Sequence, residues 1–115
     1  VSAQGRSDEE WVGTVAVVRV SGAIDMLTAP QLREDIAAVA DKKPTGLIVD
    51  LTDVDFLASA GMQVLVVTHH EVTPAIRFAV VADGPATSRP LTVTGLTDLI
   101  ALFPTREAAL AHIAG

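Results

Sequence analysis

The sequence predicts a single α/β domain, a mixed β-sheet with several helices packed against it. Three observations carry that expectation. Short runs of β-branched and aliphatic residues alternate with segments whose apolar residues recur at i, i+4 and i+7, the spacing of one helix face. The run Leu47-Ile48-Val49 is apolar without alternation, as in a strand covered on both sides. Half of the 115 residues are hydrophobic, almost all of them Ala, Val, Leu and Ile, which is enough for one core of ordinary size.

Taken in order, residues 1–10 are small or charged and supply at most a weak edge strand, so the domain proper is expected over residues 11–115. Gly13-Thr14 marks a turn. Trp11, just before it, can pair across a hairpin as a rim residue. Val15 to Val20 reads as a strand that Ser21-Gly22 ends. Thr28-Ala29-Pro30-Gln31 is a helix start, with Thr28 as cap, Pro30 in the first turn and Gln31 at capping-box spacing. Leu32, Ile36 and Val39 form the apolar stripe of that helix. Lys42 to Gly46 stops it and sets cations at its negative end. A short link then enters the strand at Leu47, which makes a right-handed crossover unit.

The stretch from Gly46 to Leu65 organises the rest. It reads as a buried strand, an acidic loop holding Asp50, Asp53 and Asp55, and a helix opening at Ser59. Ser59 is expected as an N-cap, its side-chain oxygen accepting an unpaired amide of the first turn. The helix from Ala60 to about Glu71 is rich in β-branched residues, but its place between two strand-like runs favours a helix. Ile76 to Ala82 is the next strand and Asp83-Gly84-Pro85 a turn. The segment Ser88 to Leu96 reads as a short helix with Gly95 just past its end. A final helix from Pro104, packing through Ala108, Ala109, Leu110 and Ile113, completes the chain.

Composition excludes several classes. The net charge of -6 argues against a nucleic-acid backbone as partner. Aromatics make up only 3% of the chain, so stacking platforms are scarce. Cysteine is absent, which removes disulfides, thiolate nucleophiles and Cys-based zinc sites, and suits a cytoplasmic protein. No run of about 18 apolar residues exists, so no membrane insertion is expected, and residues 1–10 carry no signal peptide.

The segment Phe56-Leu57-Ala58-Ser59-Ala60-Gly61-Met62 resembles the STAS domain, specifically the small bacterial anti-sigma factor antagonists. In that family an acidic loop is followed by Phe-(Ile/Leu)-Asp-Ser-(Ser/Thr)-Gly-(Leu/Met) and a helix. The family's phosphoserine falls on Ser59. Ala58 stands where an acid is usual and Ala60 where Ser or Thr is usual. Gly22-Ala23-Ile24-Asp25 matches the family's Gly-x-(Ile/Leu)-Asp, and Arg89-Pro90-Leu91, Gly95-Leu96 and Leu102-Phe103 match its later motifs, so the resemblance runs from about Val15 to Ile113. It implies a STAS-like domain with a four- to five-stranded mixed sheet and about four helices. It also implies a non-enzymatic cytoplasmic regulator, without a cofactor, that binds a serine-kinase anti-sigma factor and is switched off by phosphorylation of Ser59. The partner would meet Asp25, Thr28, Asp55, Ala58, Ser59, Ala60, Gly61 and Met62, since the family gathers these loops at one end of the sheet. The kinase would supply ATP and Mg²⁺, and the freed sigma factor would raise transcription without this chain touching DNA. The alternative is a non-phosphorylated STAS accessory subunit of a lipid-transport or stress-sensing complex. A small-ligand sensor using apolar space near the sheet is a third reading.

Other chemistry fits less well. Asp25, Asp50, Asp53 and Asp55 lack the Gly and distal Glu of a calcium loop, so no metal is expected. His69 and His70 are adjacent rather than at the i, i+4 spacing of a zinc pair. A serine nucleophile elbow needs glycine two residues on either side; Gly61 supplies one and Leu57 occupies the other place. No Gly-rich phosphate loop is present.

Overall fold

A computed structural model describes residues 6–114. Its order is β1 (Arg6–Val12), β2 (Val15–Ile24), α1 (Ala29–Ala40), β3 (Gly46–Leu57), α2 (Ser59–Val72), β4 (Arg77–Val81), α3 (Ser88–Val93), a 3₁₀ turn (Leu96–Asp98), β5 (Ala101–Phe103) and α4 (Arg106–Ala114). The five strands form one sheet in sequence order; β1 is antiparallel to β2 and the other pairs are parallel. The expected mixed sheet with four helices is what forms.

Residues 6–10 supply most of β1, which pairs with β2 along its whole length, from Arg6 opposite Ser21 to Val12 opposite Val15. Residues 1–5 of the expected N-terminal segment lie outside the described residues. Trp11 faces Ala16 across the hairpin, and its indole N–H donates to Glu9 Oε2 at 2.6 Å.

Two expectations change at the far ends of β2 and β3. Ser21-Gly22 does not end its strand, and the acidic segment is not a loop. Both strands continue, to Ile24 and Leu57, because β3 twice carries one residue more than β2. Arg19 faces Asp50 but Ser21 faces Asp53, and Gly22 faces Val54 but Ala23 faces Phe56. Such bulges keep a ladder going while re-aiming side chains. Gly22, with φ of 82°, supplies the left-handed conformation one of them needs. The bulges let Val54 and Leu57 stay buried while Asp53, Asp55 and Phe56 face solvent.

The two faces of the sheet are covered unequally. On one, Ala16, Val18, Leu47, Val49 and Val80 pack against Leu32 and Ile36 of α1, Leu65 of α2 and Leu91 of α3. On the other, Val17, Ile48, Ala79 and Val81 pack against Ala109 and Ile113 of α4. Gly46 makes room for that helix, since a Cβ there would collide with the Ile113 side chain. Asp50, expected in the exposed loop, is instead buried on this second face. Its Oδ1 accepts from the Thr52 amide at 3.0 Å, and its Oδ2 accepts from Arg106 Nη2 at 3.3 Å. Arg106 also donates to Glu10 at 2.9 Å, so one guanidinium ties α4 to β3 and β1.

The Arg106 guanidinium beside Glu10 holds that carboxyl below its ordinary range. A depressed carboxylate contributes stability above its unfolded pKa and loses it as pH falls through the folded value. Arg106→Ala strips the buried Asp50 of its cation. We expect a loss of about 1–2 kcal/mol in urea denaturation at neutral pH, counted for Asp50 alone. The gap to the parent should narrow in acid, as Glu10 is protonated.

Candidate functional site

The site forms where β2 and β3 end together. Ile24 and Leu57 are paired across the ladder, and the Ala58 amide donates to the Ile24 carbonyl at 2.9 Å. That bond holds Ala58 extended, at φ of -88° and ψ of 172°, so Ala58 is the N-cap and Ser59 the first helical residue. The expectation that Ser59 caps the helix is therefore corrected: the paired strand ends one residue too late for it. The Ala58 carbonyl accepts from the Gly61 and Met62 amides at 3.0 and 3.1 Å. No side chain caps the helix. Ser59 is exposed and its hydroxyl makes no hydrogen bond among the described residues.

Gly61 lets α2 approach closely. A Cβ there would lie 2.5 Å from Ile24 Cγ2 and 2.7 Å from Leu57 Cδ1. Glycine thus fixes the height of the first helical turn over the two strand ends.

The segment after β2 is a tight turn built by Asp25. Its Oδ1 accepts from the Leu27 amide at 2.9 Å, the Thr28 amide at 3.1 Å and Thr28 Oγ1 at 3.3 Å. These bonds, the Thr28 amide first, hold the Asp25 carboxyl below its ordinary range. Thr28 precedes α1 as expected but does not cap it through its side chain. Its hydroxyl lies 3.0 Å from the Ala23 carbonyl, to which it donates, and accepts from the Asp25 amide at 2.9 Å. Gln31 does not close a capping box either; it donates to Asp35 at 2.9 Å.

This turn lifts two apolar side chains into solvent. Met26 is 77% and Leu27 86% exposed, and Phe56 on β3 is 54% exposed. Reading the sequence missed all three as site residues. Their signal was present, since Met26-Leu27 is an apolar pair between a strand and a helix cap, where no core face needs it. Met62 lies under the C-terminal end of α3, its Sδ 3.7 Å from Thr94 Oγ1. Asp55 is exposed on β3.

The acids weighed as metal ligands have separate roles. Asp50 is held by Thr52 and Arg106, Asp53 lies 3.9 Å from Arg19, and Asp25 serves its own turn. Among the described residues no three His, Asp or Glu side chains are grouped to hold a metal. No helix among them is long and apolar enough to cross a membrane. His69 and His70 stand edge to face at 5.6 Å.

An α/β domain that gathers an uncapped serine, a tight acidic turn and exposed apolar side chains at one sheet end belongs to the class of small protein-docking modules. The chain belongs to the STAS domain family, whose model matches residues 9–109. It is 40% identical over 101 residues to the anti-sigma-F factor antagonist RsfB of Mycobacterium tuberculosis, covering 88% of this chain and 83% of that protein. The crystal structure of an anti-sigma factor antagonist from Mycobacterium paratuberculosis superposes with a TM-score of 0.95 at 40% identity, covering 100% of this chain and 98% of the other. The Bacillus cell fate determinant SpoIIAA in its phosphorylated form shares the fold, with a TM-score of 0.69 at 22% identity over 94% of this chain and 99% of that one.

Two substitutions test the local geometry. Gly61→Ala should cost about 1–3 kcal/mol in urea denaturation, because Ile24 and Leu57 must yield to the new methyl. Asp25→Ala should leave the fold intact and speed amide exchange at Leu27 and Thr28. In the parent the same loss of protection, taken relative to the intrinsic exchange rate at each pH, should appear only in acid. The Asp25 carboxyl is depressed, so its bonds persist above the ordinary carboxylate range and are lost as pH falls through the folded value.

Proposed function

We propose that this chain is an anti-sigma factor antagonist whose unmodified form binds a serine-kinase anti-sigma factor and whose phosphorylation on Ser59 ends that binding. The observation that carries the reading is the exposed Ser59 hydroxyl, unspent on capping, beside Met26, Leu27 and Phe56. The name of the 40% identical mycobacterial relative supports the same class of partner.

The switch follows from charge. Phosphoryl transfer from ATP to the Ser59 oxygen forms a P–O bond, breaks the bond to ADP and releases the hydroxyl proton. It adds roughly -1.5 to -2 charges and three acceptor oxygens. At the start of α2 such charge is favoured by about 0.3–2 kcal/mol, so the domain stays folded. The cost falls on a partner packed over the site. Burying Met26 and Leu27 in that partner contributes up to about 1.5–3 kcal/mol each, and an anion trapped among them opposes that gain. Each ~1.4 kcal/mol of opposition weakens binding about tenfold. Asp25 and Thr28 act by holding the turn that presents the apolar pair. The accessory-subunit reading draws on Ala58 and Ala60, which remove polar groups flanking the serine.

Incubation with candidate anti-sigma kinases and ATP, followed by mass spectrometry, should place one phosphate on Ser59. Ser59→Ala should bind the anti-sigma factor as the parent does and accept no phosphate, and Ser59→Glu should bind at least about tenfold more weakly. Equal affinities for the two variants reject the switch. Binding without phosphate transfer favours the accessory subunit. Leu27→Ser should weaken binding about tenfold with an unchanged thermal midpoint, because the side chain contributes little to the folded core.

A further inference from the structure

The proposed switch leaves unused one of the most exposed apolar side chains of the domain. Val93, the last residue of α3, is 78% exposed, and among the large apolar residues described only Leu27 is more so. α3 is held by Leu91, which is buried in the larger core. Val93 stands two positions on, roughly 200° round the helix, and faces away from that core. A β-branched residue is a weak helix former and this one buries little, so folding does not account for it.

Val93 is fixed beside the start of α2. Gly95, at φ of 82°, ends α3. The Thr94 hydroxyl donates to the Pro90 carbonyl at 2.7 Å and lies 3.7 Å from Met62 Sδ. Met62 comes one turn after Ser59, so the two share a face of α2. α1, α2 and α3 pack on one face of the sheet, and the strand order sets α2 between the other two. The turn before α1 carries Met26 and Leu27. The three most exposed large apolar side chains among the described residues, Leu27, Val93 and Met26, thus stand on both sides of Ser59.

We infer that Val93 is a second anchor of the Ser59 surface, and that the anti-sigma factor lays an apolar face across the start of α2, from the Met26-Leu27 turn to the end of α3. The inference rests on the Ser59 reading and extends the same surface without a break. It also gives the serine its place in the complex. A charge on the rim of an interface keeps its water, whereas one enclosed between two apolar anchors loses that water when the partner closes. Ser59 in the middle is therefore where one phosphate opposes binding most.

The test is calorimetric titration of the full chain and its variants with the anti-sigma factor that binds the parent. Val93→Ser should bind about five- to tenfold more weakly at an unchanged thermal midpoint, since the side chain lies outside the core. Val12→Ser, at the exposed β1–β2 hairpin on the opposite pole, should bind as the parent does. Ser59→Glu should lose about two- to threefold less affinity in the Val93→Ser background than in the parent, because water then reaches the added charge. Parental affinity of Val93→Ser beside a weakened Leu27→Ser overturns the inference and leaves the Ser59 reading standing. So does an equal effect of Ser59→Glu in both backgrounds, or a Val12→Ser as weak as Val93→Ser. A concentration-dependent dimer of the free chain that Val93→Ser abolishes in sedimentation also overturns it, since a second copy then covers Val93. If every candidate anti-sigma factor fails to bind the parent, the Ser59 reading falls and takes the inference with it.

Discussion

The hydrogen bond from the Ala58 amide to the Ile24 carbonyl is the constraint on which the site depends. It is the last rung between two parallel strands, and it decides where extended chain gives way to helix. Without the two bulges in β3, Leu57 and Ile24 would not arrive together, and α2 would start elsewhere. The bulges, Gly22 and Gly61 are therefore parts of one device. One glycine turns the strand, the extra residues adjust the register, and the other glycine lets the helix settle on the result.

The site is built where two central strands leave the buried core. Ile24 and Leu57 belong to the larger core, and the central strands beneath them are buried on both faces. A partner consequently meets a preformed surface, with little ordering to do on this side. In the proposed switch, the Ser59 hydroxyl and the side chains around it stand at the exposed ends of core strands, so a charge added there leaves the core untouched.

Much of this was legible in the sequence. The apolar stripe of Leu32, Ile36 and Val39 and the unbroken run Leu47-Ile48-Val49 located α1 and β3, because burial imposes a period that side chains must obey. The motif singled out Ser59 as a candidate, and the structure places it on the exposed start of α2. What failed were readings of polar residues by local preference alone. Asp50, Asp53 and Asp55 look like a loop, yet a bulged strand accommodates them by sending one acid inward to Arg106 and the others outward. Thr28, Gln31 and Ser59 sit where caps belong, but Thr28 is claimed by the β2 turn, Gln31 by Asp35, and Ser59 is displaced by the strand's extra length. In each case another hydrogen bond, within the β2 turn, within α1 or between β2 and β3, outbids the capping signal. Met26 and Leu27 escaped notice because exposure of an apolar pair is visible only once the fold shows what remains uncovered.

The outer strand has a consequence for life at high concentration. An unpaired ladder edge invites lateral growth by other chains. Here that edge runs through Asp8-Glu9-Glu10, three successive acids on β1, with Lys42 reaching back to Glu9 at 2.8 Å. A second molecule approaching in register would bring like charges face to face. The β1 border of the sheet is thus guarded by charge against fibre-like stacking.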